Sequence, residues 1–153
     1  MPVSAIQLFP PDTCISTEET LKHALELMLE KQVNHLAVCN KDKRFFGIIS
    51  TNAIIKAIIP ASAQVEGGLS NLKFIGDAIR LLTAHLRDLE ILKVGEFTQT
   101  NVTVLHEDSP ILEAAKLLST STAPLPVIDE DGALVGMLSK RALLTYLLAQ
   151  EQS

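Results

Sequence analysis

Polar and apolar positions along the chain form one pattern that occurs twice, over about 13–60 and again over about 102–148. In the first copy, Ser16-Thr17-Glu18-Glu19 has the spacing of a capping box, in which a hydroxyl and a carboxylate satisfy orphan amides at a helix start. Leu21, Ala24, Leu25, Met28 and Leu29 then recur at helical intervals and predict one apolar helix face. The run Leu36-Ala37-Val38-Cys39, the polar turn Asn40-Lys41-Asp42-Lys43 and the run Phe45-Phe46-Gly47-Ile48-Ile49 predict a β-hairpin. Ser50 or Thr51 is placed to cap a second helix over 52–59, which Pro60 ends.

The second copy repeats this order. Ser109-Pro110 marks a helix start, the hydroxyl capping and the proline at the first helical position, with Ile111, Ala114, Ala115 and Leu118 as the apolar face. Leu125-Pro126-Val127-Ile128 and Leu134-Val135-Gly136-Met137-Leu138 predict strands across the turn Asp129-Glu130-Asp131-Gly132. Ser139 caps a last helix reaching about Leu148. Each copy thus reads strand–helix–strand–strand–helix, too small to bury its own apolar faces. Two copies packed sheet to sheet bury them, which predicts an α/β (α+β) fold with pseudo-two-fold symmetry.

Between the copies, 61–68 reads as a small, glycine-bearing loop. A helix is expected from about Ser70, with Leu72, Ile75, Ile79, Leu82, Leu86 and Leu89 spaced as a seam. It is expected to pack on its own module or within a dimer, with partner docking as the other reading. The predicted organisation is therefore 1–60 as first repeat, 61–93 as insert and 94–153 as second repeat, the two repeats forming one module.

Charge and composition remove several function classes. The net charge of −5, with no Lys/Arg run, supplies no basic footprint for a phosphate backbone, so no nucleic-acid binding is expected. Only 4% of residues are aromatic, and there is no Trp for base stacking. No apolar run approaches the ~20 residues of a membrane span and no signal peptide is visible at Met1-Pro2-Val3-Ser4, so a cytoplasmic protein is expected. Cys14 and Cys39, 25 positions apart and without a metal-site spacing, are expected to be reduced thiols in a core. No two of His23, His35, His85 and His106 stand four apart, so neither a metal site nor a catalytic cluster is predicted; His35 has the best claim to face a ligand. Gly67-Gly68 lacks the Gly-Lys-Ser/Thr of a phosphate loop, no Gly-x-Ser-x-Gly elbow occurs, and Asp129-Glu130-Asp131 reads as a solvated turn.

At Leu125-Pro126-Val127-Ile128-Asp129, at Pro110-Ile111-Leu112-Glu113-Ala114, and at the twice-used step Gly47-Ile48-Ile49-Ser50 and Gly136-Met137-Leu138-Ser139, the chain resembles the CBS-domain (cystathionine-β-synthase-type) family. The resemblance covers most of the chain outside 61–93. It implies a pair of repeats forming one module, a homodimer, and clefts between repeats that take an adenosine nucleotide, AMP, ADP or ATP, with no cofactor required. Carried over position by position, the implied ligand contacts are Thr13, Ile15, His35, Leu36, Ser50, Asn52, Pro124, Leu125, Pro126, Ser139, Lys140 and Arg141. Ser50 and Ser139 stand at helix N-termini, where free amides and the helix dipole favour a phosphate, and Lys140 and Arg141 add charge-assisted donors. Relatives that bind ribose carry an Asp three residues after that Ser; here Ala53 and Ala142 stand there. The resemblance implies a regulatory sensor that reports to a regulated protein not identified by the sequence. The alternative is an assembly module whose clefts hold nothing, and no nucleophile–base constellation supports an enzyme.

Overall fold

A computed structural model describes residues 2–6, 14–59 and 75–152. The first repeat is β1 (Ile15–Ser16), α1 (Leu21–Lys31), β2 (His35–Cys39), β3 (Phe45–Ser50) and α2 (Thr51–Ile58). Among the described residues there follow α3 (Ile75–Arg87) and the short α4 (Val94–Phe97), with a 3-10 turn at Asp88–Glu90 between them. The second repeat is β4 (Leu105–His106), α5 (Ile111–Thr120), β5 (Leu125–Ile128), β6 (Leu134–Leu138) and α6 (Lys140–Glu151). The predicted order holds in both copies.

Each repeat makes one three-stranded sheet, β1-β2-β3 or β4-β5-β6, the first pair parallel and the hairpin antiparallel. The hairpin turns are built alike. The side-chain oxygen of Asn40 accepts from the amides of Asp42 and Arg44, and that of Asp129 from the amides of Asp131 and Ala133. The acidic run 129–131 is thus a turn held by its own carboxylate, as its composition suggests. The two turns meet, the Phe45 amide donating to the Gly132 carbonyl.

Strand alternation divides the apolar residues between three clusters. Leu36, Val38 and Ile49 face Leu21, Ala24 and Met28 in a core belonging to the first repeat. Leu125, Val127 and Leu138 face Ala114, Leu118 and Leu143 in the core of the second. The opposite faces meet through Ala37, Ile48, Leu134 and Met137, the sheet-to-sheet contact the apolar pattern requires.

The segments preceding each repeat cross to the other one. Val3 and Ile6 are buried in the second repeat's core, where the Val3 amide donates to the Ser109 carbonyl. Leu89 and Val94 are buried in the first repeat's core, with Leu21 bonded to the Leu92 carbonyl and Val94 to that of Glu19. The linker then pairs with β3 through mutual Ile48–Gln99 backbone bonds of 3.0 and 2.9 Å.

Four local expectations are corrected. Ser16 lies in β1 and its hydroxyl accepts from the Glu18 amide; the cap of α1 is Thr20, which accepts from His23. Sheet pairing with Cys39 claims Ser16 and moves the helix start four residues on. Ser109 does not cap α5, which starts from Pro110 without a side-chain cap; the buried Ser109 hydroxyl accepts from the His106 amide instead. Cys14 and Cys39 are not free thiols but a disulfide, with Cα atoms 6.2 Å apart. Parallel pairing of β1 with β2 brings them together, which a separation of 25 residues does not reveal. The seam of the insert is not one continuous helix face: Ile79, Leu82 and Leu86 on α3 are exposed, while Leu89 sits in the 3-10 turn, fully buried. Ser70 and Leu72 lie outside the described residues.

Candidate functional site

Where the two sheets meet they leave clefts between the repeats. The larger, about 790 Å³, is walled by the end of α1 and the start of β2 on one side, and by 122–124, Met137 and the start of α6 on the other. A second, about 500 Å³, opens at the start of α2, with Phe97, Gln99 and Val102 opposite. Asn34 and His35 line both.

The step from an outer strand into a helix builds the polar end of each cleft. Ser139 ends the second hairpin in extended backbone and caps α6, its hydroxyl accepting from the Ala142 amide at 3.1 Å. Lys140 and Arg141 occupy the first helical turn, exposed and on the cleft wall. Ser50 caps α2 in the same way, accepting from Ala53 at 3.2 Å. There the Thr51 amide donates to the Asn34 carbonyl, which takes one first-turn donor out of play.

The larger cleft is lined by basic side chains. Lys31, Lys140 and Arg141 line it, and none of the three enters a salt bridge among the described residues. No Asp or Glu stands among its described lining residues. In a chain of net charge −5 this is a local concentration of unpaired positive charge, which favours an anion. His35 is half-buried, and loss of hydration lowers its pKa below the ordinary 6.5. It is therefore a neutral group at pH 7, able to accept or donate a hydrogen bond.

Of the residues the sequence singles out, His35, Leu36, Pro124, Ser139, Lys140 and Arg141 come together in the larger cleft. Ser50 and Asn52 line the second, again with His35. Leu125 lines a smaller hollow beside Gln99 and Asn101. Ile15 is buried in the first core opposite Val38, and Pro126 is fully buried opposite Met137. Thr13 lies outside the described residues. Sequence reasoning misses Lys31, Met137 and Gln99. A lysine in a last helical turn, a methionine in a strand and a linker glutamine carry no local sign of a cleft. The other histidines are peripheral: His23 pairs with Glu19 at 2.7 Å on the surface, and His85 lies 3.9 Å from Asp88. Among the described residues no group of three His, Cys, Asp or Glu side chains is placed to hold a metal, and no helix is long and apolar enough to cross a membrane.

The family model for the CBS domain matches residues 3–60 and 94–149. The chain belongs to the CBS domain family. This CBS pair is 27% identical over 135 residues to a CBS domain-containing protein of Dictyostelium discoideum, covering 88% of this chain and 83% of that one. It is 25% identical over 126 residues to a homoserine O-acetyltransferase of Methanococcus vannielii, covering 82% of this chain but spanning only 20% of the enzyme. Among solved structures, the CBS-pair protein CBSX2 of Arabidopsis thaliana superposes with a TM-score of 0.78 at 20% identity, over 99% of this chain and 97% of that one. CBSX2 has also been solved in complex with AMP; that structure gives a TM-score of 0.71 at 21% identity over 98% of both chains. At these identities the superpositions establish the shared fold.

Proposed function

We propose that this CBS pair is a regulatory module without catalytic activity that senses an adenosine nucleotide in its larger cleft and passes the state to a partner protein. The observation that carries the reading is that Lys31 at the end of α1 and Lys140 and Arg141 at the start of α6, none in a salt bridge among the described residues, line one cleft. The AMP complex of CBSX2 supports an adenosine ligand for a module of this fold. Phosphate oxygens are held by the cations and the first-turn amides, while the apolar floor at Ala37, Pro124 and Met137 takes the base. Ala53 and Ala142 leave the ribose hydroxyls to neutral acceptors such as Asn34 and Thr122. A ligand touching both repeats stabilises the arrangement in which they are apposed, and a partner reads that arrangement. A homodimer belongs to the same reading, since Leu144 on α6 is 63% exposed and Leu148 57%. So does a cytoplasmic setting.

A second reading, an assembly module that binds no ligand, is favoured by the two alanines and by the exposed apolar side of α3. Calorimetric titration of the nucleotide-stripped protein with AMP, ADP, ATP and S-adenosylmethionine separates the two. A saturable signal that weakens about tenfold or more in Lys140→Ala with Arg141→Ala supports the sensor. Silence from all four ligands with the protein folded supports the assembly module, and unchanged affinity in the double variant removes the assigned phosphate site.

A further inference from the structure

The disulfide packs in a cluster whose members line both clefts. Ile15 pairs with Val38 in the parallel β1–β2 ladder, and both are buried in the first repeat's core. Side chains alternate along a strand, so Cys14 and Cys39 occupy the opposite face of that sheet, turned toward the second repeat. There they pack against Ala37, Ile48, Leu134 and Met137. Ala37 and Met137 line the larger cleft, and Ile48 lines the second. The covalent loop closed from Cys14 to Cys39 contains the whole of α1 together with Lys31, Asn34 and His35, the first repeat's contribution to the larger cleft. Neither cysteine is fully buried, and a disulfide is opened by thiolate attack on one of its sulfurs. In a thiol-reducing compartment such a bond is a responsive element rather than a permanent staple.

We propose that Cys14–Cys39 is a thiol–disulfide regulatory site, reduced by a reductant of the dithiol class, whose oxidised form holds the cleft walls in their ligand-ready arrangement. One thiolate of the reductant attacks a cysteine sulfur, the protein S–S bond breaks and a mixed disulfide forms. The second thiol of the reductant displaces the protein thiolate. The protein takes up two electrons and two protons, ending as two thiols, and the reductant leaves as its own disulfide. Reoxidation is the same exchange run backwards by a disulfide of that class. Reduction frees β1 from its covalent tie to β2 and loosens the shared cluster, so a ligand bridging the repeats must then supply ordering that the oxidised form already has.

The test uses the full chain, oxidised or treated with dithiothreitol, beside a Cys14→Ser, Cys39→Ser variant. Alkylation and intact mass are expected to find no free thiol in the oxidised protein and two after reduction. Hydrogen exchange under native conditions is expected to quicken about tenfold at β2 and β6 on reduction, with α5 unchanged. The serine variant is expected to match the reduced protein and to ignore the reductant. The affinity readout rests on the nucleotide reading: oxidised protein is expected to bind AMP about fivefold or more tightly than reduced protein. Free thiols in the oxidised protein overturn the proposal, as do equal AMP affinities in the two states. Should AMP bind neither state, the nucleotide reading fails and exchange at β6 decides alone: quickening on reduction supports the redox site, and an unchanged rate overturns it.

Discussion

His35 opens β2 opposite Ser50 and lines both clefts, so its protonation bears on stability and on the proposed ligand together. Burial lowers its pKa below 6.5, which means the folded chain binds this proton less readily than the unfolded one. The stability tied to neutral His35 is therefore complete above pH 6.5 and is lost as pH falls from 6.5 toward the folded value. An anion in the cleft favours the imidazolium and reverses part of this. Nucleotide binding near pH 6 is thus expected to take up a proton, detectable by calorimetry in buffers of different ionisation enthalpy. His35→Gln should abolish the uptake; persistence of it in that variant rules His35 out as the source. The cysteine pair acts at the same scale through the unfolded chain. Opening the loop between Cys14 and Cys39 in the double serine variant is expected to cost about 3 kcal/mol in urea denaturation of the oxidised protein. A variant as stable as the parent shows that the bond constrains nothing.

Among the elements, the strand-to-helix steps follow from local chemistry and the linker pairing does not. Gly47 lies against the linker, and a Cβ there collides with the Gln99 carbonyl oxygen and falls 2.7 Å from the Thr98 methyl. Gly47→Ala is expected to displace the linker from β3 and to destabilise by about 1–3 kcal/mol, read as a lowered Tm. An unchanged Tm means that the linker shifts freely. Leu89 belongs by sequence to the insert yet completes the first repeat's core with no exposed surface. Leu89→Ala is expected to cost about 2–5 kcal/mol, whereas Ile79→Ala on exposed α3 should cost little. Equal losses at the two positions imply that α3 is itself covered in solution. The Lys22–Glu90 ion pair, 2.6 Å and exposed, joins α1 to the turn after α3; it holds the Glu90 carboxyl below, and the Lys22 ammonium above, their ordinary values.

For the molecule as a whole, crossing of the leading segments makes the repeats interdependent. Val3 and Ile6 finish the second core while Leu89 and Val94 finish the first, so neither repeat is a closed unit on its own. This coupling suits the proposed sensor, because a ligand at one cleft would act on packing shared by both repeats. In the proposed homodimer the exposed side of α6, with Leu144 and Leu148, meets a second copy. Sedimentation is expected to show a dimer that Leu144→Glu with Leu148→Glu converts to a monomer, and a dimer persisting in that variant moves the interface elsewhere.

Reading apolar and polar positions alone recovers both hairpins, the order of elements in each repeat, the strand-to-helix serines and the demand that two sheets face each other. All of these depend on neighbours within a few residues, where periodicity, turn chemistry and capping act. It also places Ser139, Lys140 and Arg141 at a helix start, and that is enough to predict an anion-favouring end. It does not show that Lys31 joins them, that Ser16 is claimed by a sheet, or that Val3 and Leu89 exchange repeats. Nor does it show that Cys14 meets Cys39. Those facts depend on which distant segments pair, and long-range pairing is decided by burial of the whole apolar surface at once rather than by any local signal.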